Sequence, residues 1–214
     1  MNKKISALLL AGAMMLSLAA CGSKEAAPAP APSAPSTSTS TSTSTEAAGE
    51  VAGLTAPIAE APALVTSGGQ SADYQMIATV MGKVGMNYTV NNLCTSADLG
   101  DAKTLIVVVG GSSKGLGAAG IDADGELARL NEVIDGAKSA GLTVIAMHTG
   151  GEARRGELSD KFISPIFEKA DYAIVVTSGD EDGLMAGICA SKGIPMDGIK
   201  SISEVATVLP AAFK

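Results

Sequence analysis

Three glycine-rich segments of this chain carry the side chains best suited to bind a ligand. They cover residues 67–71, 110–117 and 148–156. Glycine lets backbone N–H groups come close to a bound group, and neighbouring serine and glutamine side chains add hydrogen bonds. One lysine and two arginines lie in the same segments, and arginine holds a carboxylate or phosphate through two parallel hydrogen bonds. The segments therefore predict a site for a small anionic ligand.

The predicted ligand-binding residues share small size, a hydrogen-bonding side chain or a charge. They are Ser67, Gly68, Gly69, Gln70, Ser71, Gly110, Gly111, Ser112, Ser113, Lys114, Gly115, His148, Gly150, Gly151, Glu152, Arg154 and Arg155. A structural alternative stays open, because glycine-rich loops follow many strands and the charged residues of the third segment can pair with one another on the surface.

His148 is the only histidine of the chain and lies at the end of a predicted strand. Histidine titrates near neutral pH, so His148 is the weak candidate for a catalytic residue, as the general base of an exported hydrolase. A nucleophile would come from Ser67 or Ser112 and an acidic partner from residues 180–182. The same acidic run can instead bind an amine or cap a helix. We favour a binding protein over an enzyme.

Nucleotide and metal sites fit the sequence poorly. Residues 115–120 match G-x-G-x-x-G, but the match begins well past the predicted strand, whereas the glycines of a dinucleotide site straddle the strand-to-helix turn. The residues at 111–114 lack the spacing of a phosphate-binding P-loop. A single histidine without clustered cysteines forms no metal-ligand set. We therefore expect neither a cofactor nor a metal ion.

Apolar runs predict the strands that position these segments. Continuous Val, Ile, Leu and Ala runs are typical of strands buried on both faces of a parallel sheet. The predicted strands cover residues 63–66, 87–90, 105–109, 143–147 and 172–176, with a short extended piece near residue 199. Apolar residues at helical spacing alternate with these strands, at 76–84, 127–137, 158–167, 184–191 and from 203 onward.

This alternation indicates an α/β fold in three layers, with a doubly wound parallel sheet between helices. We favour the flavodoxin-like strand order 2-1-3-4-5, with room for a short sixth strand, while the order 3-2-1-4-5-6 stays open. In the favoured order the loops after the first, third and fourth strands are neighbours at the carboxyl ends of the strands. Ligands of such sheets bind at that rim, where the strand order reverses.

The composition excludes several classes of protein. The net charge of −7 argues against a nucleic-acid partner, which needs a basic face. Apolar residues make up 46% of the chain, which is enough for a core. Three cysteines are too few for a disulfide scaffold. Cys94 and Cys189 are expected at opposite sides of the sheet, as buried thiols.

The N-terminal residues form a targeting pattern. Lys3 and Lys4 precede an apolar run over residues 5–18, and small residues lead up to Cys21. This layout is typical of a secretory signal peptide, and the run is shorter than the roughly 20 residues that span a bilayer. The residues before Cys21 resemble a bacterial lipobox, which implies that Cys21 is lipidated, with palmitate among its acyl chains. We expect anchoring in the lipid bilayer at the extracytoplasmic face of the cell membrane.

The chain divides into three predicted parts. Residues 1–20 are the lipoprotein signal peptide, residues 21–53 are the lipidated cysteine and a disordered tether, and residues 54–214 are a single α/β domain. The tether is assigned from its Ala, Pro, Ser and Thr runs, which cannot bury enough apolar surface to offset chain entropy.

The stretch from residue 64 to the C-terminus resembles a bacterial family known only as a domain of unknown function in exported proteins. Residues 66–73, 110–122 and 148–160 carry the resemblance. It implies that the three glycine-rich loops are the family's signature, and it supplies no activity. The leading hypothesis is a cell-surface lipoprotein that binds a small anionic ligand for uptake or sensing. The alternatives are the hydrolase and a protein-interaction module for a membrane partner.

Overall fold

The computed structural model describes residues 51–214. The predicted signal peptide, Cys21 and most of the predicted tether lie outside these residues. The last three tether residues, 51–53, contact the folded domain. The Ala52 carbonyl accepts a hydrogen bond from the Met196 N–H at 3.1 Å, and Val51 packs against the core. The part of the chain that packs on the domain therefore begins before residue 54.

A six-stranded, all-parallel sheet forms the centre of the fold. Its strands are β1 (Ala63–Gly68), β2 (Tyr88–Val90), β3 (Thr104–Val109), β4 (Thr143–His148), β5 (Tyr172–Val176) and β6 (Met196–Ile199). The strand order is β2-β1-β3-β4-β5-β6. This confirms the doubly wound, flavodoxin-like prediction with its sixth strand, and the alternative order is wrong. The continuous apolar runs of β3 and β5 are fully buried, as expected for inner strands, while the short β2 forms a half-exposed edge.

Helices cover both faces of the sheet. They are α1 (Asp73–Lys83), α2 (Ser113–Ala119), α3 (Ala123–Ser139), α4 (Glu157–Phe167), α5 (Leu184–Lys192) and α6 (Val205–Ala211). The Asp122 side chain caps α3 by accepting a hydrogen bond from the Gly125 N–H at 2.7 Å. Gly193 ends α5 at a φ of +68°, the left-handed conformation that glycine adopts most readily.

One helix contradicts the prediction of a loop over residues 110–117. Helix α2 begins at Ser113, so Ser113, Lys114 and Gly115 are helical. The Ser112 Oγ caps this helix by accepting a hydrogen bond from the Gly115 N–H at 3.0 Å. Leu116 is the one buried residue of α2, so apolar periodicity gives almost no signal for this helix.

Two apolar cores lie on opposite faces of the sheet. Leu105, Val107 and Val109 of β3 point to the core beneath α3, α4 and α5, while Ile106 and Val108 point to the core beneath α1 and α6. Cys94 and Cys189 are both buried and free. Within residues 51–214, no helix combines the length and apolar character that crossing a membrane requires.

Candidate functional site

The first two predicted segments meet where the strand order reverses. Strands β1 and β3 are neighbours, but α1, which follows β1, and α3, which connects β3 to β4 after α2, cover opposite faces of the sheet. Backbone hydrogen bonds join the two loops: the Ser71 N–H donates to the Gly110 carbonyl at 3.1 Å, and the Ser112 N–H donates to the Gly69 carbonyl at 2.9 Å. The loops therefore lie together at the place where open α/β sheets bind ligands.

The third segment lies on the same rim. The Arg154 Nε is 3.0 Å from Asp73 Oδ2, next to the first segment. The Gly111 N–H donates to the Ser159 Oγ at 2.9 Å, which ties the second segment to the helix that follows the third. The structure thus brings the three predicted loops together, as the favoured strand order predicts.

The arginines of that rim are already paired with carboxylates. Arg155 contacts Asp160 and Asp182, each at 2.8 Å, and donates to the Gly179 carbonyl at 2.7 Å. The hydrogen bond from Arg155 holds the pKa of Asp182 down at about 2. Arg154 is paired with Asp73. All three guanidinium nitrogens of Arg155 are therefore engaged, whereas Arg154 is paired through its Nε alone and its charge is matched by Asp73.

Lys114 is the remaining predicted cation. It is exposed on α2 and takes part in none of the ion pairs within the described range. The acidic run after β5 is structural: Asp180 accepts hydrogen bonds from the Met185 and Ala186 N–H groups at 2.7 and 2.9 Å. Asp180 thus caps the start of α5 and is not a free partner for a ligand amine.

His148 is enclosed by the protein and not open to a substrate. Its side chain is fully buried, and its Nε2 lies 3.2 Å from the Arg154 carbonyl oxygen. Burial lowers the pKa of His148, while the hydrogen bond to the Arg154 carbonyl opposes that shift. Its Nδ1 and the neighbouring Thr149 Oγ1 are buried without partners. No serine in residues 51–214 hydrogen-bonds to the ring, so the geometry does not support His148 as a general base.

A hydrolase pattern that the sequence reasoning missed lies in the second segment. Residues 111–115 read Gly-Ser-Ser-Lys-Gly and fit G-x-S-x-G, between a strand and a helix. A nucleophile turn holds its serine in a strained conformation, whereas Ser113 is the first residue of a regular helix. The only non-glycine residue with positive φ in the described chain is Gln70. Residues 111–115 therefore match the pattern without its geometry.

The glycines of the rim allow close packing between loops. A Cβ at Gly115 would lie 1.9 Å from the Gln70 carbonyl oxygen, so only glycine lets α2 approach the first segment. A Cβ at Gly69 would lie 2.8 Å from the Gly110 carbonyl oxygen. These glycines let protein backbone, and not a ligand, come close.

The Gln70 side chain links three parts of the rim. Gln70 has a φ of +61°. Its Nε2 donates to the Asn92 carbonyl at 2.8 Å and to Glu126 Oε1 at 3.0 Å, and its Oε1 accepts from Asn92 Nδ2 at 2.9 Å. These bonds hold the loops after β1 and β2 against α3. They also fix a backbone conformation that non-glycine residues seldom adopt.

A buried ion pair supports this arrangement, and the sequence reasoning missed it. Glu126 is fully buried and contacts Arg129 at 2.8 Å. Glu126 Oε1 also accepts from the Gly69 N–H at 2.9 Å, and Arg129 donates to the Ser67 carbonyl at 2.7 Å. The available signal was the position of Glu126 at helical spacing from Leu130, on the apolar face of α3.

A pocket of about 300 Å³ lies between these loops and α2. Its lining combines polar side chains with small and apolar ones. The lining residues are Gln70, Ser71, Ala72, Tyr74, Gln75, Asn92, Leu93, Gly115, Ala118 and Ala119. Gln70, Ser71 and Gly115 belong to the predicted site. The others were missed, because α1, α2 and the loop after β2 bring them in from outside the glycine-rich segments.

A family model described as a domain of unknown function, DUF6305, matches residues 60–213. The chain belongs to the DUF6305 family. No curated protein matches it. The structure is similar, with a TM-score of 0.30 and 11% identity, to the psychrotrophic esterase EstA from Pseudoalteromonas sp., inhibited by monoethylphosphonate, over 64% of this chain and 76% of that one. It is similar to TesA with a TM-score of 0.29 and 13% identity, over 63% and 77% of the two chains.

The remaining predicted residues have other places in the DUF6305 domain. Ser67 and Gly68 are buried within β1, and Gly110 and Gly111 pack against the first segment and α4. Ser113 is exposed on α2. Gly150, Gly151 and Glu152 lie between β4 and α4, outside the lining of the pocket. The predicted residues thus share one rim, but only three of them line its pocket.

Proposed function

We propose that this DUF6305 domain binds a small molecule in the pocket at the β1–β3 reversal. The observation that carries the proposal is the position of a 300 Å³ pocket at the carboxyl ends of the strands, at the point where their order reverses. Doubly wound sheets bind ligands there, and small-molecule sites start at about this volume.

Hydrogen bonds already hold two side chains of the pocket in place, which favours binding. Gln70 and Asn92 are held by each other, and Gln70 is held further by the buried Glu126–Arg129 pair. A site whose walls are ordered before binding loses less entropy when the ligand arrives.

The contacts of the two arginines on the rim bear on the expected charge of the ligand. Arg155 is bonded to two carboxylates, the charge of Arg154 is matched by Asp73, and neither arginine lines the pocket. The preference for an anionic ligand then depends on Lys114, which does not line the pocket. We therefore propose a small polar ligand without a net negative charge.

The location of the protein is part of the proposal. We propose that Cys21 carries a lipid anchor, which would present the domain at the extracytoplasmic face of the cell membrane for uptake or sensing. An alkyne analogue of palmitate should label the wild-type chain and the Cys189→Ala variant, but not Cys21→Ala. Labelling that persists in Cys21→Ala would contradict the anchor.

Binding can be tested by thermal unfolding of the full chain with D-glucose, glycine, sodium acetate and sodium phosphate as separate probes. A probe at about 100 times its Kd should add about 2.7 kcal/mol to the free energy of unfolding, which raises Tm by about 5–10 °C. The Ala118→Leu variant fills the pocket from an exposed helix position and should abolish the shift. Ala128→Leu, at an exposed position of α3, is the matched control. Shifts unaffected by Ala118→Leu, or no shift with any probe, would refute the proposal.

A further inference from the structure

No charged side chain lines the pocket at the β1–β3 reversal. A carboxylate, phosphate or ammonium group would find no opposite charge among the lining side chains. Two ion pairs lie beside the lining, one between Glu126 and Arg129 and the other between Asp73 and Arg154. Lys114, which forms no ion pair within residues 51–214, precedes Gly115 but does not line the pocket. The lining therefore selects for a ligand without ionised groups.

The polar side chains of the pocket offer donors and acceptors together. Asn92 uses one amide hydrogen for Gln70 Oε1, at 2.9 Å. Its second hydrogen and its Oδ1 make no side-chain hydrogen bond with other described residues. Tyr74 Oη accepts from Gln75 Nε2 at 3.0 Å, which leaves the phenolic hydrogen free to donate. Amide groups and a phenol match hydroxyl groups, because each hydroxyl both donates and accepts.

The other walls are apolar. Leu93 is 37% exposed and is one of four large apolar side chains that the described domain leaves exposed. Together with Ala118, Ala119 and the Tyr74 ring it offers a surface for C–H groups. A volume of about 300 Å³ lies at the lower limit for small-molecule sites, which suits one ring and not a dinucleotide.

From this combination we infer that the pocket binds a neutral, polyhydroxylated ring, the chemistry of a monosaccharide. The inference rests on the proposed function and specifies its ligand class. The hydroxyl groups would bond to the side chains of Asn92, Tyr74 and Gln75, while the C–H face of the ring would pack on Leu93 and Ala118. A free sugar and the terminal ring of a glycan share this chemistry.

The test measures affinity by saturation-transfer NMR and calorimetry on the full chain. The neutral probes are D-glucose, D-galactose, D-mannose and N-acetyl-D-glucosamine, with their methyl glycosides, and the charged probes are sodium acetate, sodium phosphate and glycine. At least one sugar should bind, and no charged probe should. Binding of a methyl glycoside as tight as that of the free sugar identifies the terminal ring of a glycan as a source, and a requirement for the free sugar excludes it.

Matched variants locate the sugar. Tyr74→Phe removes a hydroxyl from the pocket and should weaken binding by about 2- to 10-fold. Tyr88→Phe removes a hydroxyl bonded to the Ala78 carbonyl elsewhere and should leave the affinity unchanged. Leu93→Ser should weaken binding, whereas Val90→Ser, a similarly exposed apolar position, should not.

The outcomes separate the inference from the proposed function. Charged probes that bind in wild type but not in Ala118→Leu, while every sugar fails, overturn the ligand class and leave the binding site in place. Sugar binding that survives Ala118→Leu overturns the inference, because the sugar then binds elsewhere. No binding of any probe overturns both.

Discussion

Removing the Glu126 carboxylate should destabilise the domain far more than removing an exposed charge of the same helix, α3. Glu126 Oε1 accepts hydrogen bonds from the Gly69 N–H, Gln70 Nε2 and Arg129 Nη2 at 2.9, 3.0 and 2.8 Å, and its Oε2 accepts from Arg129 Nε at 2.8 Å. Glu126→Ala leaves these donors unpaired around a guanidinium whose side chain is only 8% exposed. We expect a loss of about 4 kcal/mol in the free energy of unfolding, within the range for a broken buried pair.

Urea titration followed by circular dichroism measures this loss, and Tm should fall by about 10 °C. Glu132→Ala is the matched control, because Glu132 is exposed on the same helix and its contact with Ser96 lies at the surface. That variant should lose less than about 1 kcal/mol. Replacing both members of the buried pair, Glu126→Leu with Arg129→Met, should cost less than Glu126→Ala alone, because no charge is then left without a partner.

Two results would refute this reasoning. One is a loss below about 1 kcal/mol in Glu126→Ala, which would mean that the carboxylate contributes no more than a surface group. The other is a double variant whose loss equals the sum of the two single losses, since additive effects indicate that the two side chains are not energetically coupled.

Three further predictions concern the rim. Burial lowers the pKa of His148 below 6.5, so the unfolded chain binds more protons and the free energy of unfolding should fall as the pH drops below 6.5. In His148→Asn the midpoint of urea unfolding should depend less on pH than in wild type, and equal pH dependence would contradict this. Gly115→Ala should destabilise the domain by about 3 kcal/mol, because the added Cβ clashes with backbone. Gly117→Ala, in the same helix with open space around it, should stabilise the domain by up to about 1 kcal/mol. Equal melting temperatures of the two variants would refute the packing argument. Arg155→Gln should cost about 2 kcal/mol in urea titrations, because it removes contacts to two carboxylates and the Gly179 carbonyl, and a wild-type midpoint would show that these contacts are not stabilising.

The sheet was predictable because each inner strand is an uninterrupted apolar run. The residues of β3 and β5 can only be accommodated where both faces are covered, and right-handed connections then leave few strand orders. Helix α2 was not predictable in the same way. It owes its position to the Ser112 cap and to the approach of Gly115 to another loop, and neither produces a periodic apolar pattern.

The meeting of three loops on one rim followed from the strand order, but the state of their charges did not. Arg155 finds its partners in Asp160 and Asp182, and Arg154 finds Asp73 far earlier in the chain. Such pairings depend on side-chain directions across different loops. A list of cations in a segment cannot tell a free guanidinium from one that is already neutralised.

Residues 51–54 pack along β6, and this contact matters for handling the protein. The outer edge of β6 presents backbone groups that, left uncovered, would form a template for pairing with another chain. Ala52 accepts from the Met196 N–H, and the Leu54 N–H donates to the Asp197 carboxylate at 3.1 Å, so this short stretch shields the edge. A truncated form that starts after Thr55 would expose the edge of β6, and we expect it to self-associate and precipitate. Expression should therefore retain Val51 and all residues after it.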